Sequence, residues 1–271
     1  MRRSVFYVSD GTGITAETLG HTLLTQFDQM TFCQHSLPFV VDEKKVDEAV
    51  KQINAAAKAD GTRPLVFSTL VDDGLRARLC TCNGAVFDFF ETYTTALESE
   101  LGVAALDVPG RSHGMGNVST YSDRIDALHF AIQNDDGATT RNYPHADVIL
   151  MGVSRAGKTP TCMYLALTYG IRAANYPLAD GDFERGSLPM ALEPFRQKLF
   201  GLTVDPERLQ QIRSERRPNS HYASYEQCAL ELRAVEKLFR RERIPFLNIT
   251  QRSVEEISAQ LMQLAGLERR I

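Results

Sequence analysis

Short apolar runs alternate with longer stretches of helical periodicity along the chain. The apolar runs have the length and composition of buried β-strands and cover residues 5–8, 32–37, 64–70, 147–151, 171–176 and 244–249. Apolar residues at helical spacing predict helices that end near residue 27 and that cover 46–59, 72–79, 87–101, 122–133, 160–169, 206–216 and 224–241, with a last helix after residue 253. Strands that alternate with helices predict an α/β fold in which parallel sheets are flanked by helices.

Helix-start signals support three of these helices. Asp205 and Pro206 provide an N-cap and a proline at the first helical position. Ser253 and Glu256 have the spacing of a capping box. Pro160 falls in the first turn of its predicted helix, where proline is tolerated.

A boundary between two lobes is predicted at residues 109–117. This stretch, PGRSHGMGN, has too few apolar side chains for a core element and reads as a loop. A chain of 271 residues is long enough for two domains of ordinary size. We therefore expect an N-terminal α/β domain at residues 1–108 and a second domain at residues 109–271.

Composition and charge are typical of a soluble globular protein, with 43% hydrophobic and 24% charged residues. A net charge of −4 argues against a nucleic-acid binder that relies on bulk positive charge. No apolar run approaches the ~20 residues that a membrane helix needs. The N-terminus reaches Asp10 and two glycines too early for a signal peptide, so a cytoplasmic location is expected. Five scattered cysteines without the spacing of a zinc or redox pair predict reduced thiols.

The segment GVSRAGKT at residues 152–159 meets the P-loop pattern G-x-x-x-x-G-K-[ST] in full. It follows a predicted strand and opens a predicted helix, which is the context that the pattern requires. Glycines let successive backbone N–H groups turn inward around a phosphate, and the helix presents the positive end of its dipole to the same place. The predicted binding residues are Gly152, Val153, Ser154, Arg155, Ala156, Gly157, Lys158 and Thr159, with Lys158 reaching the terminal phosphates and Thr159 ligating Mg²⁺.

Two other loops carry candidate chemistry. Residues 9–13, SDGTG, also lie between a predicted strand and a helix, but they have neither the spacing of a dinucleotide fingerprint nor a lysine. A tight turn and a phosphate or effector contact both stay open there. Asp135 and Asp136, followed by Gly137, are typical of a solvated turn. A kinase that acts on a hydroxyl also needs a carboxylate to accept its proton, so a catalytic role for these acids stays open as well.

Arginines near the loop and near a helix end also allow more than one interpretation. Arg155 lies inside the P-loop pattern, where a contact to the transferred phosphate and a solvated side chain are equally open. Arg213, Arg216 and Arg217 form a basic run at the end of a predicted helix. Favourable interaction with the helix dipole is a sufficient explanation for that run.

Four sequence blocks in order point to one family: VSDGTGITAET at 8–18, IQNDDG at 132–137, GVSRAGKTP at 152–160 and FGLT at 200–203. In these blocks, and over nearly the whole chain, the sequence resembles the phosphoenolpyruvate synthase regulatory proteins. That family is related to the plant pyruvate, phosphate dikinase regulatory proteins. Together with the predicted elements, the P-loop pattern indicates an N-terminal α/β lobe at residues 1–108 and a C-terminal P-loop kinase-like phosphotransferase domain at residues 109–271.

The resemblance also implies two opposed activities on one protein substrate. Such proteins phosphorylate a threonine of phosphoenolpyruvate synthase with ADP as donor, which inactivates the synthase. They remove the phosphate again with inorganic phosphate as co-substrate and release pyrophosphate. By this resemblance the 152–159 loop would hold ADP or phosphate, Lys158 would neutralise charge, and Asp136 would transfer the proton.

One position departs from the plant pattern, and other functions remain open. The plant proteins have a second charge-neutralising lysine three residues before the catalytic Asp, where this chain has Gln133; Arg155 is a candidate to supply that charge. The main alternative function is a small-molecule P-loop kinase that uses ATP, and a third is a regulator that binds nucleotide without transferring phosphate. The sequence leaves the oligomeric state open, with a homodimer among the options.

Overall fold

The computed structural model describes residues 2–106, 108, 118–137, 139–179, 181–182 and 186–270. The chain divides into two compact units, Met1–Gly116 and Asn117–Ile271. This division falls within the stretch 109–117 that the sequence predicts as a boundary loop, but that loop lies outside the described residues. The assignment of domains at 1–108 and 109–271 therefore stays a prediction.

The first unit is built on a four-stranded parallel sheet with the order β2-β1-β3-β4. Its strands are β1 (Arg2–Ser9), β2 (Thr31–Leu37), β3 (Leu65–Thr69) and β4 (Ala85–Asp88), and its helices are α1 (Ile14–Leu24), α2 (Glu43–Asp60), α3 (Asp73–Leu79) and α4 (Phe89–Leu101). Strand β1 is buried on both faces because helices cover both sides of the sheet. Phe6 and Val8 belong to the cluster that contains Val46 of α2, whereas Tyr7 belongs to the cluster that contains Ala16 of α1.

The second unit repeats this arrangement with a parallel sheet of order β6-β5-β7-β8. Its strands are β5 (Val148–Gly152), β6 (Ala173–Pro177), β7 (Leu199–Thr203) and β8 (Phe246–Asn248), and its helices are α5 (Val118–Gln133), α6 (Lys158–Tyr169), α7 (Pro206–Arg216), α8 (Tyr225–Glu242) and α9 (Val254–Leu264). In both sheets the first strand of the unit lies between its second and third strands. Parallel strands end at the same edge, so the loops after β5, β6, β7 and β8 meet at one side of the second sheet.

The predicted α/β fold with parallel sheets is confirmed, and the two strands that the sequence did not predict, β4 and β7, each have a physical cause. Residues 85–88 form β4, although the sequence pattern predicts a helix that begins at residue 87. This strand has only four residues, and its last residue, Asp88, is also the N-cap of the following helix. No loop separates the two elements, so the sequence pattern does not show where the strand ends and the helix begins. Strand β7 is fully buried but contains Gly201, which interrupts its apolar run. A Cβ on Gly201 would lie 2.5 Å from the ring of Phe239, so glycine is needed for α8 to pack on the sheet.

Two helix-start predictions have different outcomes. The capping box of Ser253 and Glu256 is present at the start of α9. Asp205 does stand before the first residue of α7, but its side chain does not cap that helix. Its Oδ1 atom instead accepts a hydrogen bond of 2.8 Å from Nδ2 of Asn248, which ties the loop after β7 to the end of β8. None of the helices formed by the described residues has the length and apolarity to cross a membrane.

Candidate active site

The 152–159 segment, named here the GKT motif, has the strand–loop–helix context that the sequence predicts. Strand β5 ends at Gly152 and helix α6 begins at Lys158. A Cβ on Gly152 would lie 2.5 Å from the carbonyl oxygen of Leu202 in β7, so only glycine lets the two strands approach this closely. Gly157 stands at the N-cap with φ of 67°, and no side chain caps the helix. The first N–H groups of α6 are therefore free of a side-chain cap at the carboxyl edge of the sheet.

Lys158 is buried at the start of α6, with 4% of its surface exposed. Its Nζ atom donates a hydrogen bond of 2.9 Å to the carbonyl oxygen of Val153 in the same motif. Burial lowers the pKa of Lys158 from 10.5 to about 8, and the nearby charges of Asp136 and Asp135 offset part of this effect. The ammonium group is thus held inside the loop, poorly hydrated and short of compensating negative charge.

Asp135 lies against the first turn of α6. Oγ1 of Thr159 donates a hydrogen bond of 2.8 Å to Oδ1 of Asp135, and Nδ2 of Asn175 donates to the same oxygen. Asn175 is fully buried in β6, so it anchors the acid from the neighbouring strand. The carboxylate of Asp135 therefore lies next to the hydroxyl of Thr159, the group that the sequence predicts to ligate a metal ion.

Asp136 is exposed and held in an unusual backbone conformation. The residues Asp135–Gly137 form a short 3-10 turn after α5, and Asp136 has φ of 50° and ψ of 29°. Its backbone N–H donates a hydrogen bond of 2.9 Å to Oδ1 of Asn175. An aspartate in the left-handed region costs on the order of 1 kcal/mol, so the turn is fixed by its anchor in β6 rather than by local preference.

The structure thus brings together most of the predicted residues, and it adds one that the sequence did not single out. Asp135, Asp136, Lys158 and Thr159 meet at the end of β5, and Asn175 links the acidic turn to this group. Asn175 could have been identified from the sequence, because it is a polar residue within an otherwise apolar strand. Gln133, at the position of the plant lysine, is exposed at the end of α5.

Among the arginines singled out in the sequence, only Arg213 has an environment that differs from the expectation. Arg155 is exposed and has φ of 74°, so the loop turns back at this residue. The sequence pattern explains Arg213 as part of a basic run at a helix end, and that explanation is wrong for this residue. Only 1% of its surface is exposed, and it pairs with Glu231 in the interior. Arg216 and Arg217, by contrast, are exposed near the end of α7.

The loop at residues 9–13 borders a separate cavity in the first unit. Gly13 has φ of 81° at the N-cap of α1, and the Asp10 carboxylate accepts a hydrogen bond of 2.9 Å from the backbone of Val71. The cavity has a volume of about 590 Å³ and is also lined by Thr69 and Arg76. The loop is thus a turn with open space beside it, and its contact to a phosphate or effector stays a prediction.

Comparison with known proteins finds similar sequences over the whole chain. Residues 5–262 match the sequence model of the family described as kinase/pyrophosphorylase. A protein of Pseudomonas aeruginosa strain UCBPP-PA14 is 54% identical over 270 residues, which cover 100% of this chain and 98% of the relative. A protein of Stutzerimonas stutzeri strain A1501 is 53% identical over 271 residues, which cover 100% of both chains. Both relatives carry the name "Putative phosphoenolpyruvate synthase regulatory protein". This chain belongs to the kinase/pyrophosphorylase family.

Proposed function

We propose that this chain regulates phosphoenolpyruvate synthase by adding a phosphoryl group to a threonine of that enzyme and removing it again. ADP is the phosphoryl donor in the first reaction, and inorganic phosphate is the acceptor in the second. Family membership and the names of the relatives support a phosphotransferase that acts on this partner. A cytoplasmic location, where such a partner would be met, belongs to the same proposal.

The observation that supports this chemistry is an exposed carboxylate, Asp136, near a buried ammonium group, Lys158, in a loop whose sequence has the P-loop pattern. Burial disfavours the charged form of Lys158, and a phosphate held by the loop would compensate that charge. Main-chain N–H groups of the loop and Lys158 would then hold the negatively charged phosphate in place. Asp136 is free to face a hydroxyl from outside, because its own backbone is held by Asn175.

In the forward direction the threonine oxygen attacks the β-phosphorus of ADP. The bond to the bridging oxygen breaks, AMP leaves, and Asp136 accepts the threonine proton. In the reverse direction an oxygen of inorganic phosphate attacks the phosphorus of phosphothreonine. Pyrophosphate forms, and Asp136 returns the proton to the threonine oxygen. The β-phosphate of ADP and the free phosphate would occupy the same loop, so one site serves both directions.

The residues present fit a magnesium ion bound together with the nucleotide. Among the described residues, no cluster of three or more His, Cys, Asp or Glu side chains could hold a metal by itself. Mg²⁺ commonly needs only one or two protein oxygens, because phosphates and waters supply the rest. Thr159 and Asp135 place a hydroxyl and a carboxylate oxygen 2.8 Å apart at the start of α6. These two residues would hold the ion, which would neutralise charge on the phosphates.

The test uses purified synthase and ADP labelled in the β-phosphate. We expect label on a threonine and loss of synthase activity, followed by pyrophosphate release and recovery of activity when phosphate replaces ADP. Lys158→Ala and Asp136→Asn should each abolish both reactions, and Asp136→Asn should still bind ADP. Asp126→Asn is the matched control, because Asp126 is an exposed acid on α5.

Two results would overturn the proposal. Transfer from ATP to a small molecule, with none from ADP to the synthase, would show a small-molecule kinase. Loss of only one reaction in a variant would show that the two directions use separate sites.

A further inference from the structure

Arg213 uses its whole hydrogen-bonding capacity inside the second unit. Its guanidinium group makes two hydrogen bonds to the carboxylate of Glu231 on α8, at 3.0 and 2.6 Å. Two more donors, Nε and an Nη atom, reach the carbonyl oxygen of Ser154 at 3.3 and 3.2 Å. The fifth donates to the carbonyl oxygen of Tyr222 at 3.0 Å. An arginine has five N–H groups, so none is left to bind a ligand directly.

The contact to Ser154 matters because Ser154 belongs to the GKT motif. Its carbonyl is turned away toward Arg213, and its side-chain Oγ shares a hydrogen bond of 2.9 Å with the hydroxyl of Tyr222. The ring of Tyr222 in turn lies 4.1 Å from the centre of the Arg213 guanidinium group. The loop is therefore held at Ser154 from both its backbone and its side chain by one packed group.

The contacts of Arg213 orient the backbone of the GKT motif and do not supply positive charge to a ligand. A loop that surrounds an anion must point its N–H groups inward, so its carbonyls must find donors elsewhere. Arg213 provides that donor behind the loop, and Glu231 neutralises its charge.

We propose that Arg213, supported by Glu231 and Tyr222, is a positioning residue that fixes the backbone of the GKT motif for binding of a nucleoside diphosphate or phosphate. The inference rests on the proposed function, because it assigns an anion to this loop. It does not make Arg213 a catalytic residue. A loop freed from Arg213 should lose affinity for ADP and for inorganic phosphate alike, since both would use the same backbone donors.

The main variant replaces the buried pair as a unit, Arg213→Met together with Glu231→Leu. Removing only one partner would leave a buried charge unpaired, whereas apolar replacement of both is often tolerated. Arg213→Lys is the second variant. It keeps a positive charge beside Glu231, but an ammonium group cannot reproduce the planar fork that bridges Glu231, Ser154 and Tyr222. Arg216→Met is the matched control, because Arg216 is an exposed arginine on the same helix.

Two measurements are made on the full chain. Amide hydrogen exchange of residues 152–158 is followed without ligand, with exchange of β7 as a check that the sheet is intact. Binding of ADP and of inorganic phosphate is measured by calorimetry. We expect faster exchange in the loop and at least about tenfold weaker binding of both ligands in the double variant, the factor expected for losing one charge-assisted hydrogen bond. Arg213→Lys should also speed exchange in the loop and weaken ligand binding, whereas Arg216→Met should change neither the exchange nor the affinities.

Wild-type exchange in the loop together with wild-type affinities, in either folded Arg213 variant, would overturn the inference. So would an equal loss in Arg216→Met. Lys158→Ala tests the proposed function separately. If wild-type protein and Lys158→Ala bind ADP equally, the assignment of the nucleotide to this loop fails. The exchange measured without ligand still decides whether Arg213 positions the loop.

Discussion

Replacing Lys158 by methionine should stabilise the ligand-free protein at pH 7. Burial lowers the pKa of Lys158 from 10.5 to about 8. Each pKa unit corresponds to ~1.4 kcal/mol, so keeping the ammonium charged in the folded protein costs about 3 kcal/mol. Methionine is similar in length and uncharged, and the carbonyl of Val153 keeps a hydrogen bond from the backbone N–H of Ala156 at 3.2 Å. The variant should therefore gain most of that free energy of unfolding.

The sign of the pH dependence follows from the direction of the pKa. Below pH 8 the lysine is protonated in both the folded and the unfolded chain, so the full cost is present. Between about pH 8 and 10.5 the unfolded chain binds a proton that the folded chain does not, and wild-type stability rises relative to the variant. The advantage of Lys158→Met should thus shrink from about 3 kcal/mol at pH 7 toward zero near pH 10.5.

The assay is urea unfolding at a series of pH values, with wild type and variant compared at each pH so that other titrating groups cancel. Because the chain has two units, hydrogen exchange of β5 assigns the affected transition to the second unit. Lys237→Met is the control, since Lys237 is exposed on α8 and should show no pH-dependent difference. An Lys158→Met variant that is less stable than wild type at pH 7, or whose difference does not change with pH, would refute the reasoning.

Two further predictions follow from the same geometry. Affinity for ADP should fall as pH rises above about 8, by up to about tenfold per pH unit, because Lys158 loses its proton in the free protein; calorimetry at pH 7 to 9.5 checks this, and a flat profile would contradict it. Gly201→Ala should destabilise the second unit by about 1–3 kcal/mol, because the new methyl group would lie 2.5 Å from the ring of Phe239. Thermal melting against Gly181→Ala, whose Cβ would meet no atom within 4 Å, measures that cost; equal melting temperatures would show that the ring moves aside freely.

The local sequence pattern predicts those strands, helices and motifs that are determined by residues close together in the chain. The buried strand β5, the GKT motif and helix α6 are contiguous, and each supports the assignment of the next, so the motif could be placed between strand and helix from the sequence. Strand β7 could not be predicted in this way. Its glycine is explained by Phe239, which lies 38 residues further along the chain and contacts it only after α8 packs on the sheet.

The parts of the site that escaped prediction are contacts between distant segments. Asp135 and Asp136 look alike in sequence, yet only Asp135 meets Thr159, because β6 places Asn175 behind the turn. Arg213 and Arg216 also look alike, three residues apart on one helix. The packing of α8 gives Arg213 a buried carboxylate and a loop carbonyl, and it leaves Arg216 in solvent. A motif therefore predicts which backbone surrounds the anion, whereas the residues that hold that backbone in place are determined by how the helices pack around it.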